Sequence, residues 1–410
     1  MNMKPLRYLF IDFNAYFASV EQQLDPNLRG KPIAVVPTQG DTTSCIAASY
    51  EAKKFGVKTG TMVREAKRMC PGLICINARH LHYIEYHHKL IEAVETCLPV
   101  LKVMSIDEMV CELTGSQQQR EKAVALAHQI KKTIAEKVGE CMRCSIGIAP
   151  NIFLSKTGTD LQKPNGLVVI EPQDLPQCLL KFELRDIYGV GRRMEERLRV
   201  NGINTIMDLW NADKTLLHKV WGGIEGERLY DNLRGEVVYS PPTHKSTVGH
   251  SHVLAPDYRT EEKAYATLHR LLQKAAMRLR SYELLAGSMY VKIKYLDGSR
   301  WKDEIRFTPT HDTVQFINAL ATMWKRKEPS YATPLKVAIT LFNLAEEKSQ
   351  TLQMFPFGRS SEALNTAIDK LNNVYKKNTV YFGGAHIARN SAPMRIAFTH
   401  IPDPEIEGDE

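Results

Sequence analysis

The sequence predicts a multidomain protein of mixed α/β and α+β architecture, and three observations lead to this prediction. Strand-like and helix-like segments alternate through residue 170, as they do in α/β folds. Short glycine-punctuated helices follow over residues 175–235, and residues 247–344 then have the order β-α-β-β-α-β of a separate module. At roughly 100–200 residues per domain, the 410 residues suffice for two to four domains.

The N-terminal part begins with an apolar strand from Tyr8 to Asp12, which leads into a helix over residues 15–24. Asp12 is therefore expected at the C-terminal end of a strand. Residues 100–113 predict two strands around a tight turn at Asp107-Glu108. An amphipathic helix over residues 120–138, a strand over 144–148 and a helix from Asn151 complete this part.

The C-terminal module is predicted to follow a linker, because Pro241-Pro242 favours an extended chain. Its elements are a strand to Leu254, a helix over 261–282, strands over 287–295 and 300–307 around an Asp297-Gly298 turn, a helix over 312–327 and a strand over 335–344.

The charge of the chain is concentrated in this module. The whole sequence has 54 Lys or Arg and 46 Asp or Glu, a net charge of +8. Residues 247–345 alone hold 15 basic against 9 acidic residues, a net charge of +6. This excess indicates a polyanionic partner, for which nucleic acid is the first candidate.

Composition argues against membrane and secreted classes of protein. No uncharged apolar stretch of about 18 residues occurs. The eight cysteines are spread thinly along the chain, which does not indicate a disulfide framework. We therefore expect a cytoplasmic protein without a membrane partner.

Asp12, Asp107 and Glu108 are the strongest candidates for a catalytic site, since each is predicted at a strand end of one sheet. Converging carboxylates repel one another, and divalent cations such as Mg²⁺ relieve that repulsion. Two such ions could clamp the attacking and leaving oxygens of a phosphoryl displacement. Acids at turns are also common as solvated surface groups, and the residues alone leave that alternative open.

Five motifs in order resemble the Y-family translesion DNA polymerases of the bacterial DinB and UmuC types. They are Phe10-Ile-Asp-Phe-Asn-Ala-Tyr-Phe-Ala-Ser-Val-Glu21, Gly30-Lys-Pro-Ile-Ala-Val-Val36, Tyr50-Glu-Ala-Lys-Lys-Phe-Gly-Val57, Ser105-Ile-Asp-Glu108 and Lys163-Pro-Asn-Gly166. With Gly189-Val-Gly191 and the basic module, the resemblance covers about 345 residues.

The resemblance implies a right-hand polymerase with palm, fingers, thumb and a β-α-β-β-α-β little finger domain. The expected bounds are 1–15 and 80–170 for the palm, 16–79 for the fingers, 171–236 for a thumb with a helix-hairpin-helix, 237–246 for the linker, 247–345 for the little finger and 346–410 for a tail.

The resemblance also implies roles for individual residues of the palm and fingers. Asp12, Asp107 and Glu108 would be the catalytic carboxylates and, with the backbone carbonyl of Phe13, would bind two Mg²⁺ ions, for which Mn²⁺ can substitute. Phe17 would be the steric gate that excludes a 2′-hydroxyl. The remaining residues expected around the nucleotide are Tyr16, Tyr50, Lys53 and Lys163. Lys53 replaces the usual arginine, so it supplies charge without a bidentate fork.

Two regions are expected to bind primer-template DNA. Gly189 and Gly191, followed by Arg192, resemble a helix-hairpin-helix whose backbone approaches a phosphate. Lys292 and Lys294 alternate with apolar residues on one strand, and Arg300 and Lys302 have matching parity on the next. These four side chains would share one sheet face, although surface lysines also serve solubility.

Residues 346–410 suggest further partners. Thr351-Leu-Gln-Met-Phe355 resembles a degenerate sliding-clamp peptide, in which Leu352, Met354 and Phe355 would contact the clamp. Asp369-Lys-Leu-Asn-Asn373 and Asn378-Thr-Val-Tyr381 are similar to the tail of UmuC-type polymerases, which makes UmuD-like or recombinase partners candidates as well.

The sequence leaves two other functions open. One is a polymerase-derived accessory protein that binds DNA but is catalytically weak or inactive. The other is a different two-metal palm enzyme such as a nucleotide cyclase, which would not need the basic module. The histidines at 80, 82, 87 and 88 could bind a metal, but they are expected to form an exposed helix face.

Overall fold

The computed structural model describes residues 5–38, 40–239, 244–347, 361–375, 379–396 and 401–402. The chain divides into two compact units, one of residues 1–240 with 396–401, the other of residues 241–395 with 402–410. The division lies inside the segment predicted as a linker. No helix in the described part of the chain is both long enough and apolar enough to cross a membrane.

The first unit opens with eight strands and six helices. In chain order they are β1 (Tyr8–Phe13), α1 (Tyr16–Leu24), β2 (Ile33–Val36), β3 (Ala47–Ala48), α2 (Tyr50–Lys53), α3 (Val63–Met69), β4 (Ile74–Asn77), α4 (His80–Glu95), β5 (Val100–Ser105), β6 (Glu108–Glu112), α5 (Arg120–Lys137), β7 (Cys144–Ala149), α6 (Ile152–Leu161) and β8 (Leu167–Val169).

A five-stranded sheet of order β5-β6-β1-β7-β8 forms the centre of this unit. The β1 strand lies in the middle, antiparallel to both β6 and β7, and all six of its residues are buried. Its register pairs Asp12 with Glu108. The predicted turn between β5 and β6 is present, so three acidic positions lie at one end of two paired strands.

Helix α6 packs unusually close to this sheet. A Cβ atom added to Gly147 of β7 would lie 1.9 Å from the carbonyl oxygen of Ser155, so only glycine fits at this point. Asn151 caps the helix by accepting a hydrogen bond from the Leu154 N–H at 2.8 Å. The close packing brings the middle of α6 over the end of β1.

A small second layer follows α1 and has its own core. Strands β3, β2 and β4 form a three-stranded sheet in that order. Its apolar core includes Ala34, Val36, Val57 and Val63, all buried. The modest size of these side chains gives a thin core.

Four helices form the predicted thumb: α7 (Arg192–Val200), α8 (Ile206–Asn211), α9 (Lys214–Trp221) and α10 (Ile224–Leu233). Their apolar sides share a core that includes Leu198, Leu209 and Leu217. Asn151 also ties this region to α6, because its Nδ2 donates to the carbonyl oxygens of Asn232 at 2.9 Å and Glu236 at 2.8 Å.

The second unit has the predicted β-α-β-β-α-β order followed by one more helix. Its elements are β9 (Thr247–Val253), α11 (Glu261–Ser281), β10 (Leu284–Tyr295), β11 (Arg300–Thr310), α12 (Thr313–Arg326), β12 (Pro334–Glu346) and α13 (Glu362–Val374). The four strands form one antiparallel sheet of order β11-β10-β12-β9. Met289, Val291 and Ile293 face a core that they share with residues of α11 and α12.

The tail continues this unit rather than standing apart from it. Asp369 of α13 forms a bidentate ion pair with Arg280 of α11, at 2.7 and 2.9 Å. Asn372 exchanges two hydrogen bonds with the backbone of Val380, each of 2.9 Å. Asp369 of the first UmuC-like motif therefore holds α13 against α11, and Asn372 joins this motif to Val380 of the second one.

Candidate active site and nucleic-acid interface

The three carboxylates lie together at the end of the β1–β6 pair but face different partners. Asp12 Oδ2 accepts hydrogen bonds from Lys156 Nζ at 2.6 Å and Lys163 Nζ at 2.9 Å. Glu108 Oε1 accepts from the same Lys156 ammonium. Asp107 Oδ1 instead accepts from Ser105 Oγ at 2.6 Å. Within the described ranges, no three His, Cys, Asp or Glu side chains converge as a ready metal cluster.

Electrostatics nevertheless fits this group to a divalent cation. The pKa of Asp107 is raised to about 6, chiefly by burial and also by the charges of Asp12 and Glu108, against the lowering effects of Ser105 and Lys156. The donors are carboxylate oxygens, which hard cations such as Mg²⁺ prefer. Phe13, the fourth predicted ligand, ends β1, and its N–H donates to the Asp107 carbonyl at 2.9 Å.

Lys156 is a site residue that the sequence analysis missed. Its side chain is only 12% exposed and lies between Asp12 and Glu108, with Nζ 5.3 Å from the centre of the Phe10 ring. Burial alone would lower the pKa of Lys156, but the two carboxylates outweigh burial and raise it, so the ammonium stays charged. No local pattern in the sequence indicates this role, because it depends on the packing of α6 against β7.

Lys163 lies in a loop, residues 163–166, that is held in place by Asn14, the residue directly after β1. Asn14, which is buried, donates to Ser145 Oγ at 3.1 Å and accepts from the Asn165 N–H at 2.6 Å. Lys163 also pairs with Asp160 at 2.8 Å. The loop 163–166 is thereby placed beside Asp12.

Phe17 lies on a rigid aromatic support. Its ring stacks on that of Tyr83, with centroids 4.4 Å apart and an interplanar angle of 18°. The Tyr83 ring is fully buried, and its hydroxyl donates to Glu21 Oε1 at 2.7 Å. Glu21, also buried, is paired with Arg79. Tyr83 and Glu21 are positioning residues that the sequence did not single out.

Tyr16 lies under Phe17, with its side chain in the core. It is 3% exposed, and its hydroxyl donates to the Tyr83 carbonyl at 2.6 Å. Burial raises the pKa of this phenol strongly. The Tyr16 side chain therefore supports the neighbouring aromatic residues, and its expected nucleotide contact stays a prediction.

Tyr50 and Lys53 of α2 lie near the carboxylate site. Lys53 Nζ lies 4.3 Å from the centre of the Tyr50 ring. Burial raises the pKa of Tyr50, and the neighbouring charges of Lys163 and Asp12 also act on it. Both residues thus lie near Lys163 and Asp12. Lys53, rather than Lys54, lies on the side of the site.

The four histidines of α4 do not form one exposed face, and that expectation is wrong for His87. His87 is buried, and its Nδ1 lies 2.8 Å from the carbonyl oxygen of Ile106 in the acidic turn. Burial lowers the pKa of His87 to about 4. The residue supports the turn that carries Asp107 and Glu108.

The predicted DNA-binding turn of the thumb is open to an external partner. Gly189 has a φ of +87°, which requires glycine. Gly191, the N-cap of α7, has an ordinary φ of −85°, and a Cβ added there would meet nothing within 4 Å. Neither its backbone conformation nor its packing within the described chain requires a glycine at position 191. Arg192 next to it is exposed.

The basic residues of the second unit share one face, as their parity predicted. Lys292 is the cross-strand partner of Lys302, and Lys294 is that of Arg300. Lys336 of β12, which the sequence analysis did not select, pairs with Lys294 on its other side. Five cations thus occupy two adjoining rows. The clamp-peptide residues Leu352, Met354 and Phe355 lie outside the described residues.

Comparison with known proteins gives matches along most of the chain. Residues 11–160 match a family model described as the impB/mucB/samB family, and residues 245–354 match the C-terminal domain model of that family. Residues 185–236 match a model described as the DNA polymerase-iota thumb domain.

Individual relatives agree with these models. DNA polymerase IV of Moorella thermoacetica is 32% identical over 382 residues, which is 91% of this chain and 94% of that protein. DNA polymerase IV 1 of Bacillus subtilis strain 168 is 29% identical and covers 89% of both chains. The solved Y-family DNA polymerase chimera Dbh-Dpo4(243-245)-Dbh has a TM-score of 0.69 at 25% identity, covering 83% of this chain and all of that one.

Proposed function

The chain belongs to the Y family of DNA polymerases and is a translesion DNA-directed DNA polymerase, and from this premise we propose how its residues carry out the reaction. The substrates are a primer-template duplex and a deoxynucleoside triphosphate. The primer 3′-oxygen forms a bond to the α-phosphorus, the bond from that phosphorus to pyrophosphate breaks, and the hydroxyl proton passes to solvent.

The observation that carries this mechanism is the cross-strand pair Asp12–Glu108 with Asp107 beside it. Asp12, Asp107, Glu108 and the carbonyl of Phe13 would hold divalent ions, with Mg²⁺ as the proposed species. When bound, such ions lower the pKa of the primer hydroxyl and neutralise charge on the leaving pyrophosphate. Asp12 lies at the centre of the site, because it accepts hydrogen bonds from both Lys156 and Lys163.

The nucleotide is proposed to enter between α2 and the palm. Lys163 and Lys53 supply positive charge for the triphosphate, and Tyr50 packs beside Lys53. Phe17 lies under the sugar, where its ring excludes a 2′-hydroxyl. Tyr83 stacks flat on Phe17, and its hydroxyl donates a buried hydrogen bond to Glu21. The Phe17 ring can therefore move toward Tyr83 only if Tyr83 moves and this hydrogen bond breaks.

The DNA is proposed to bind two surfaces, one in each unit. The turn 189–191 would present backbone N–H groups to one phosphate, with Arg192 beside it. The five-cation sheet face would follow the duplex backbone by charge, without reading sequence. A related solved structure is described as an insertion ternary complex of Dbh DNA polymerase, at 26% identity and a TM-score of 0.54.

Further partners rest on the sequence of the tail alone. The peptide 351–355 is proposed to bind a sliding clamp through Leu352, Met354 and Phe355. UmuD-like and recombinase partners are proposed only on the similarity of the tail to UmuC-type polymerases.

A primer-extension assay tests the catalytic assignment. The wild-type protein with Mg²⁺ should extend a primer across an undamaged and an abasic template, whereas Asp107→Asn should lose extension by at least about a hundredfold. Glu121→Gln, an exposed acid on α5, is the matched control and should extend normally. Thermal melting of both variants separates lost chemistry from lost folding. Full activity of a folded Asp107→Asn protein would refute the carboxylate assignment.

A further inference from the structure

The ammonium group of Lys131, on α5, is directed at the loop 163–166. Its Nζ donates to the carbonyl oxygens of Asn165 at 2.7 Å and Gly166 at 2.8 Å, and to Asn165 Oδ1 at 3.1 Å. A lysine ammonium has three N–H donors, so these three hydrogen bonds use all of them. The three acceptors are neutral oxygens, and hydrogen bonds from an ionised donor are stronger than those between neutral groups. Lys131 therefore holds a piece of backbone.

The backbone of residues 165 and 166 is hydrogen-bonded at every polar group. The Asn165 N–H donates to Asn14 Oδ1 at 2.6 Å, and the Gly166 N–H donates to Ser145 Oγ at 3.2 Å. The two carbonyl oxygens accept from Lys131. Both N–H groups and both carbonyl groups thus have a partner, so three side chains from separate elements define where this part of the loop lies.

Lys131 differs from the other two anchors in its surroundings. Asn14 directly follows β1 and Ser145 lies in β7, so both are buried beside the central sheet and bonded to each other at 3.1 Å. Lys131 reaches the loop from α5 and is only partly buried. Its ammonium can therefore be removed without opening the core of the palm.

The loop that Lys131 holds also carries Lys163, two residues before Asn165. Lys163 Nζ donates to Asp12 Oδ2 at 2.9 Å, and the side chain is 30% exposed. Because the donors of Lys131 are used on the loop, Lys131 can act on the carboxylate site through the position of that loop. Such positions matter, since a misplacement of about 1 Å in an active site can lower a rate about a hundredfold.

We propose that Lys131 is a positioning residue for nucleotide binding, because it fixes the loop 163–166 and so sets where the Lys163 ammonium meets the triphosphate. The inference rests on the proposed role of Lys163 in binding the nucleotide. Without the Lys131 ammonium the loop gains freedom, and Lys163 occupies its binding position for only a fraction of the time. Apparent affinity falls by that fraction, so the loss should appear in KM for the nucleotide rather than in kcat.

Single-nucleotide primer extension on an undamaged template with Mg²⁺ tests this inference. In Lys131→Gln, the KM for the deoxynucleotide should rise about fivefold while kcat stays within about twofold of the wild-type value. Lys132→Gln, at the next position of α5, removes the same charge from an exposed side chain and should change neither constant. Thermal melting shows that the variants are folded, and Lys131→Met, which keeps the aliphatic stem, takes the place of Lys131→Gln if that protein does not fold.

A double-mutant cycle shows whether Lys131 acts through Lys163. Lys163→Gln alone should raise KM at least about tenfold, and adding Lys131→Gln should change it by less than about twofold, since the side chain to be positioned is already absent. Amide hydrogen exchange gives a readout that needs no catalysis. Exchange at residues 165 and 166 should be faster in Lys131→Gln than in the wild type and unchanged in Lys132→Gln.

The outcomes separate a failure of this inference from a failure of the proposed function. No extension by the folded wild-type protein, or an unchanged KM in Lys163→Gln, would refute the proposed reaction or the nucleotide role of Lys163, and the inference would fall with it. A raised KM in Lys163→Gln combined with a wild-type KM in Lys131→Gln would overturn the positioning role alone. Full additivity of the two substitutions, or unchanged hydrogen exchange at residues 165 and 166, would do the same.

Discussion

Lys156 Nζ lies 2.6 Å from Asp12 Oδ2 and also contacts Glu108, so an ammonium stands between two of the three carboxylates proposed to be catalytic. A metal ion bound by these carboxylates would have to share this position with the Lys156 ammonium. The positive charge of Lys156 reduces the repulsion between the two carboxylates.

Removing this ammonium should therefore increase metal affinity. In Lys156→Gln, the binding of Mn²⁺ followed by electron paramagnetic resonance should tighten by about tenfold, because a competing charge a few ångströms away is lost. Lys156→Arg should retain the wild-type affinity, and Lys132→Gln on the surface of α5 is the charge-matched control. Equal Mn²⁺ affinity in Lys156→Gln and the wild type would contradict the competition.

The support of Phe17 by Tyr83 predicts a graded loss of sugar selection. Phe17→Ala should raise ribonucleotide incorporation by at least about tenfold, since the excluded volume is gone. Tyr83→Leu should raise it less, because the gate ring remains but loses its flat support. The measurement is the ratio of kcat/KM for deoxy- and ribonucleotides. Unchanged ratios in both folded variants would refute the gate.

His87 predicts a stability loss in mild acid. Its pKa of about 4 lies below the ordinary 6.5, so only the unfolded chain takes up the proton between these values, and the stabilisation present above pH 6.5 is lost as the pH falls toward 4. The loss should reach about 3 kcal/mol. His87→Asn keeps a donor for the Ile106 carbonyl and should show a flatter profile in urea unfolding from pH 7 to 4. Identical pH profiles would contradict this role.

Gly191 provides a test of the thumb contact without a folding effect. A Cβ at this position meets nothing in the described chain. Gly191→Ala should therefore keep the wild-type melting temperature but bind primer-template DNA about tenfold more weakly in fluorescence anisotropy. Gly189→Ala should lose stability as well, since its φ is +87°. Wild-type DNA affinity in Gly191→Ala would exclude close approach of a phosphate.

The sheet face should contribute mainly through counterion release. In Lys292→Gln with Lys302→Gln, the slope of log affinity against log salt should become shallower by about 2, because each phosphate contact contributes about 0.9. The weakening should be the same for unrelated DNA sequences. Lys263→Gln with Lys325→Gln should leave the slope unchanged. A normal slope in the first variant would remove this face from the interface.

The sequence was sufficient for features that depend on local order. The tight turn at Asp107 and the strand ending at Asp12 predict their proximity, and the register confirms it. Strand parity likewise predicts the shared face of Lys292 and Lys302.

Other features depend on tertiary packing and could not be derived in this way. The reach of Lys156 requires the close contact between Gly147 and Ser155, which no local pattern encodes. The burial of His87 follows from how α4 packs against the acidic turn, although its helix carries polar residues on several sides.

Asn151 joins the start of α6 to the end of α10. One amide caps the helix that carries Lys156 and also holds the chain end of α10 through Asn232 and Glu236. The start of α6 and the end of α10 therefore share one anchor. One side chain thus fixes two helix ends, so a substitution of Asn151 would loosen both of them at once.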